Sequence, residues 1–414
     1  MDKIVKTILT LPVLSATKFP VGLQPHVEDL IRTIKCKSKE VCIIGICGMG
    51  GSGKTTLAKA IYHQIHGTFI DKCFIEDIAQ VSGARRRIRL QEKLLSDVIK
   101  TKVEIHSVEM GRSMIRDRLF GKKVLIVLDD MDDHFPLLDL RKSRSWLSEG
   151  TVIIMTTRDE EILRIHRVDS VFRINLLNEK ESLELLSWHA FREPKPKEEY
   201  HSLAERVVAH CGGLPLALEV IGSYLYQRTK EEWNTVLFKL KLNYRIDFDQ
   251  ILKISLDGLH NEIFKDLFLD VCCFFVGKGR AYVTKILNGC LVDADNGISV
   301  LIERNVIKVK QNNKLGMHPL IQELGREISK EKKSWSDAGY VLTDNSVRTF
   351  FTYGSENSLG SICFLVPISF VFLCYFHLRG QKPFRNCQRN CIQPEENIQD
   401  LNSMETPSTV LIRN

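Results

Sequence analysis

The stretch VCIIGICGMGGSGKTT, Val41–Thr56, constrains this chain more than any other. Val41 to Ile46 is a short apolar run of the kind that forms a parallel strand buried on both faces. A glycine-rich turn follows, and the pattern then predicts a helix from Lys54 to about His66. Inside the turn, Gly48, Gly53, Lys54 and Thr55 fill the pattern G-x-x-x-x-G-K-[ST]. That spacing serves anion binding. Glycines let backbone N–H groups along Gly48, Met49, Gly50, Gly51, Ser52 and Gly53 curl around one phosphate. The helix opened by Lys54, Thr55 and Thr56 adds its positive N-terminus. Lys54 reaches the outer phosphates, and the Thr55 hydroxyl is a ligand for Mg²⁺.

KKVLIVLDDMDD, Lys122–Asp133, supplies the second half of such a site. Val124–Leu128 is a continuous apolar strand ending on Asp129 and Asp130, and ligands of open α/β sheets bind at that strand edge. Asp129 is placed to hold Mg²⁺ directly or through water, and Asp130 to orient a water as a base. TVIIMTTRD, Thr151–Asp159, repeats the design, with Arg158 as a donor toward a terminal phosphate. Cys73–Ile75 and Val171–Ile174 complete five strands alternating with helices over 41–175. An α/β P-loop NTPase domain, a parallel sheet with helices on both faces, is the fold this predicts.

Beyond residue 175 the patterning is helical. Asn178 and Glu181 form a capping box opening Glu179–Phe191. Glu199–His210 is a second helix, and GGLPLAL, Gly212–Leu218, is a turn with Pro215 at a helix start. A further unit begins near Asp249, with helices near Ile263–Phe275 and Gly297–Asn305. It continues as a small β-wing, Val306–Val309 with Lys314–Leu315, and the helix Pro319–Lys330. Two or three domains suit the length of 414 residues. The net charge of +7 is mild and spread along the chain, so no nucleic-acid partner is expected from it. Arg85–Arg89 reads as a solvated loop before a helix Leu90–Lys100. Twelve cysteines include no C-x-x-C pair, and several sit in apolar runs, which points to reduced core thiols in a cytoplasmic protein.

Taken together, these motifs resemble the NB-ARC nucleotide-binding switches of plant intracellular immune receptors. The resemblance runs from about Phe19 to Glu331 and covers roughly three quarters of the chain. GMGGSGKTT is similar to the family P-loop, VLIVLDDMDD to its second strand motif, and IIMTTRD to its sensor-arginine motif. GLPLAL, LFLDVCCFF (Leu267–Phe275) and MHPLIQELGREI (Met317–Ile328) resemble the later family motifs in their family order. Phe19–Leu23 resembles the linker that follows a Toll-like domain in one receptor subclass.

The resemblance implies a P-loop domain, an all-helical domain and a winged-helix-like domain folded around ADP, with exchange for ATP opening the molecule. It assigns Pro215 to the adenine side, His318 to the β-phosphate, Val21 to the nucleotide site, and Mg²⁺ as the accompanying ion. The implied division is 1–18 as an N-terminal segment, 19–175 nucleotide-binding, 176–248 helical, 249–335 winged-helix-like and 336–414 a divergent tail. Implied partners are an adenine nucleotide and other immune receptors or signalling proteins. One departure stands out. Family members carry an aspartate after Met-His, where this chain has Pro319, so a weaker ADP lock and a less well oriented His318 are expected.

The expected form is truncated at both ends, without a Toll-like head or a leucine-rich array. In the tail, Leu359–Leu378 is twenty residues without a formal charge, long enough to span a bilayer. Arg379, Lys382, Arg385 and Arg389 follow it, an orientation that would leave an ATP site outside the cytosol, so a membrane partner is disfavoured. Two other readings remain beside the ADP/ATP switch. One is a dedicated P-loop ATPase with Asp130 as base; the other is a winged-helix nucleic-acid binder, which no concentrated basic recognition helix supports.

Overall fold

The computed structural model describes residues 17–80, 84–131, 143–241, 248–259, 261–288, 293–310, 312–331, 341–343 and 348–350. Five strands, β1 (Cys42–Cys47), β2 (Asp71–Ile75), β3 (Val124–Met131), β4 (Val152–Thr157) and β5 (Ser170–Arg173), form one parallel sheet. Their order is β2-β3-β4-β1-β5, so the chain crosses over repeatedly and places the end of β1 beside the end of β4. Side chains of a strand alternate in direction. Ile43 and Cys47 accordingly join one core, while Cys42, Ile44 and Ile46 join the other.

Helices cover both faces. α1 (Leu23–Cys36) and α2 (Lys54–Ile65) bury Val27, Leu30, Leu57 and Ile61 against the face of Ile44. On the face of Ile43, α3 (Ala84–Ile99) and α4 (Val108–Leu119) bury Leu94, Leu95, Ile115 and Leu119. The Arg85–Arg89 cluster therefore lies in a helix and not in a loop. Arginine is a good helix former, and Ile88, Leu94, Leu95 and Val98 carry the apolar spacing through it. Arg85 and Arg89 remain exposed to solvent. α4 has no counterpart in the sequence reading; Ser107 caps it, its Oγ accepting from the Met110 N–H at 3.1 Å.

After α5 (Glu160–Ile165) the chain is helical: α6 (Glu179–Ala190), α7 (His201–Cys211), α8 (Pro215–Leu225), α9 (Lys230–Lys241) and α10 (Phe248–Asp257). The capping box forms as expected, with Glu181 N–H to Asn178 Oδ1 at 2.9 Å and Asn178 N–H to Glu181 Oε2 at 3.1 Å. Next come α11 (Glu262–Asp270), continued by one wider turn over Val271–Phe275, then α12 (Arg280–Asn288) and α13 (Ala294–Glu303). An antiparallel wing, β6 (Lys308–Val309) with β7 (Leu315–Gly316), leads into α14 (Pro319–Glu331).

The chain packs as two compact units, Met1–Arg280 with Asn296–Lys333, and Ala281–Asp295 with Ser334–Asn414. In the second, Val341–Thr343 pairs antiparallel with Arg348–Phe350. Cys42, Cys47, Cys73, Cys211 and Cys272 are buried free thiols. Among the described residues no helix is long and apolar enough to cross a membrane, and the apolar segment 359–378 lies outside them.

Candidate functional site

The turn between β1 and α2 forms the floor of a cleft in the first unit, lined by Gly50, Gly51, Ser52, Gly53, Lys54, Thr55 and Thr56. Gly51 and Gly53 sit at φ 80° and 96°, the left-handed region that favours glycine. A Cβ on Gly51 would also come within 2.9 Å of Leu216 Cβ. Gly48 and Met49 stand behind the floor, and their carbonyls accept from Lys54 Nζ at 2.7 and 2.8 Å. Burial lowers the Lys54 pKa, with Asp130 acting in the opposite sense.

One atom on this floor is unsatisfied. Ser52 is 3% exposed, and its Oγ is buried without a hydrogen-bond partner. Such a hydroxyl costs about 1–3 kcal/mol unless something bonds to it. Beside left-handed glycines, Lys54 and a helix N-terminus, a phosphate oxygen is the partner that fits.

At the end of β3 the two aspartates have separate surroundings. Asp129 is 1% exposed and accepts from Thr55 Oγ1 at 2.9 and 3.1 Å and from Thr156 Oγ1 at 2.7 Å. Burial pushes its carboxyl up to about 6 against these bonds. Asp130, at φ 54°, faces the cleft and forms an ion pair with Arg158 Nε at 3.6 Å. The Thr55 hydroxyl and the Asp129 carboxylate are hard oxygen donors. Among the described residues no group of three acidic, His or Cys side chains could cage a metal alone. Mg²⁺ suits such a place, since it takes one or two protein oxygens and completes its shell with water and phosphate.

The opposite wall comes from distant parts of the chain. Pro215 opens α8, and the next N–H, of Leu216, donates to Gly51 O at 3.3 Å, which ties this helix to the phosphate loop. Glu219, one turn on, accepts from Lys308 Nζ of the wing at 3.2 Å. Burial raises the Glu219 pKa, but Lys308 and His189 outweigh it and hold the carboxylate low. His318 lies immediately before α14, and its Nδ1 accepts from the Leu320 N–H at 3.2 Å. Burial, then the Lys308 charge, pushes its pKa down to about 3, so the ring is neutral with its proton on Nε2. One ring nitrogen of His318 is thus held by backbone.

Val21 lines the cleft beside Phe19 and His26, and Phe19 stacks on Trp188 at 5.1 Å between centroids. Of the residues singled out from sequence, Val21, Gly50–Thr56, Asp130, Arg158, Pro215 and His318 meet in this one cleft. Gly48, Met49 and Asp129 support it from behind. Asp77, Glu219 and Lys308 also line it and were not anticipated. Glu219 sits four residues past Pro215, one helical turn, which is the signal that could have found it. Nothing in the local sequence marks Lys308.

Comparison with known proteins places names beside this geometry. A family model described as the NB-ARC domain matches residues 23–196. A second, for the winged-helix domain of Roq1-like disease resistance proteins, matches residues 261–333. Disease resistance protein RPV1 of Vitis rotundifolia is 42% identical over 313 residues, 75% of this chain and 22% of its own length. TMV resistance protein N of Nicotiana glutinosa is 36% identical over 316 residues, 74% of this chain and 27% of its own. The chain thus spans less than a third of either relative. A solved structure of a Signal Transduction ATPase with Numerous Domains protein with a tetratricopeptide repeat sensor, from Pyrococcus horikoshii, aligns with a TM-score of 0.46 at 16% identity, over 73% of this chain and 43% of that one. The chain therefore carries an NB-ARC domain and a Roq1-like winged-helix domain, and the relatives it matches are plant disease resistance proteins.

Proposed function

We propose that the chain is an ADP/ATP-binding switch in plant defence signalling, built of a nucleotide-binding part (19–175), a helical part (176–248) and a winged-helix part (249–335). One observation carries this reading: the phosphate loop, Pro215 of α8 and His318 before α14 line a single cleft. A ligand that touches all three stabilises their present arrangement by its differential affinity for it, which is the physical content of a switch. Lys54 and the loop hold the β-phosphate. Ser52 Oγ gains a partner, and His318 donates from Nε2–H toward the same phosphate. Thr55 and Asp129 hold Mg²⁺, which when bound neutralises charge between the phosphates. Val21 and Pro215 flank the base. Slow ATP hydrolysis is a secondary activity.

Release of the bound molecule by denaturation, followed by mass spectrometry, tests the proposal. ADP in near-stoichiometric amount is the expected result. A protein that retains no nucleotide and also fails to bind added ADP, or that retains a guanine nucleotide, would overturn it.

A further inference from the structure

We propose that Asp77 takes up the attacking water when ATP is cleaved in this cleft, and that Lys310 of the wing holds it out of use. The inference rests on the reading above that the cleft binds Mg·ATP.

Asp77 belongs to none of the motifs that carried the sequence reading, yet it lines the same cleft as Lys54 and Thr55. Its place follows from register. Ile75 of β2 pairs with Leu128 of β3, so Glu76-Asp77 leaves the sheet beside the end of β3 that carries Asp129 and Asp130. Asp77 and Asp130 both adopt left-handed backbone, φ 58° and 54°, uncommon for residues other than glycine. Two neighbouring strands thus each bring an aspartate in left-handed backbone to the cleft, Asp77 just past β2 and Asp130 near the end of β3.

They differ in what holds them. Asp130 is paired with Arg158, which follows β4 in the same sheet. Asp77 is held by Lys310 Nζ at 2.9 Å, a residue of the wing. Lys310 also reaches Glu76 at 3.2 Å, but Glu76 has a second cation, Lys59 at 3.0 Å, from α2. Departure of the wing would leave Asp130 paired and Glu76 neutralised, and would strip Asp77 of the Lys310 cation. Of the two aspartates Asp77 and Asp130, Asp77 is the one whose cation comes from the wing.

The step it would assist is balanced as follows. The water oxygen bonds to the γ-phosphorus while the bond from that phosphorus to the β,γ-bridging oxygen breaks. The bridging electron pair leaves with ADP. One water proton passes to the Asp77 carboxylate and then to solvent, and inorganic phosphate is released.

The test uses the full chain with Asp77→Asn and Lys310→Ala, measuring single-turnover hydrolysis of Mg·ATP, ATP affinity and thermal melting. Asp77→Asn should slow hydrolysis by about a hundredfold, the usual scale of a positioned base, with ATP affinity retained. Lys310→Ala should raise the rate above wild type, and the double variant should fall to the Asp77→Asn rate. The two single variants delete the same ion pair, so a merely structural tie would move both rates in one direction. That outcome, or unchanged rates, overturns the proposal. If Asp77→Asn does not fold, Lys310→Ala decides alone, and a rate no higher than wild type overturns it. Failure of the wild type to bind ATP would instead remove the reading on which the proposal rests.

Discussion

The two walls of the cleft are built in opposite ways. On one wall the working residues lie close in sequence, Gly50 to Thr56, or at the ends of strands that the sheet brings together, Asp130 and Arg158. On the other, Pro215, Glu219, Lys308 and His318 come from a helix start, the next turn, a wing strand and a helix cap. The first wall holds charges that pair within one sheet, as Asp130 does with Arg158. The second holds one neutral imidazole, His318, beside one ion pair that joins α8 to the wing. A contiguous wall is set by local backbone geometry, whereas an assembled wall exists only while its parts are docked. Binding strength should therefore reside in the first and its regulation in the second.

The largest effect should come from the contiguous wall. Lys54 is 7% exposed at the phosphate end, and no second lysine lines the floor beside it. Lys54→Ala should abolish stabilisation by ADP, which for an intact site reaches about 4 kcal/mol at a thousandfold excess over Kd. A melting series with and without ADP reads this directly. Equal shifts in wild type and variant would mean that the phosphate loop is not where affinity lies, and the comparison would fail.

The next effect belongs to the assembled side. His189 of α6 is 5% exposed, with Nδ1 3.2 Å from Ser223 Oγ of α8 and 3.1 Å from Asn305 Nδ2, two residues past α13. Burial pushes its pKa down to about 4, below the ordinary 6.5 that applies once the chain unfolds. The stability tied to its neutral form is then full above pH 6.5 and lost as pH falls through about 4. The difference of about 2.5 pH units corresponds to about 3 kcal/mol. Urea unfolding between pH 7 and pH 4 should show this loss in wild type, and His189→Gln should flatten it. An unaltered acid limb in the variant would show that the cluster does not govern how these helices hold together.

The same contrast explains what could be read from the sequence. Strand, turn and helix around Lys54 are fixed by neighbours in the chain, and they fell within a residue or two of expectation: β1 covers Cys42–Cys47 and α2 covers Lys54–Ile65. The capping box at Asn178 is likewise local, and it forms. Asp77, Lys308 and Lys310 were not visible, because each gains its role from a partner between 89 and 234 positions away. The Arg85–Arg89 segment failed for another reason. Four charges drew attention away from the apolar spacing that α3 maintains beneath them. Pro215 and His318 became site residues only through family resemblance, since neither residue type at its spacing implies a nucleotide.

The smallest expected effect lies at Pro319, the first residue of α14, which lines the cleft next to His318. Proline at that position gives up an N–H that has no intrahelical partner, so the helix loses little. His318 does not depend on a neighbouring carboxylate for its orientation, because Nδ1 already accepts from the Leu320 N–H. Pro319→Asp would add a carboxylate in the first turn, where the helix N-terminus favours it. It would face the positive side of the cleft, where Lys308, Arg158 and Lys54 all act on His318. A new charge-assisted bond is worth about 1.5–3 kcal/mol at most, and repulsion from the nucleotide phosphates works against it. With ring orientation already provided, the lower end applies, which is about tenfold slower ADP release. Stopped-flow release of a fluorescent ADP from wild type and Pro319→Asp measures it. Slower release would show that the assembled wall controls the off-rate while the phosphate loop supplies the affinity. Identical rates would confine both to the phosphate loop, and faster release would mean that phosphate repulsion outweighs any grip a carboxylate adds here.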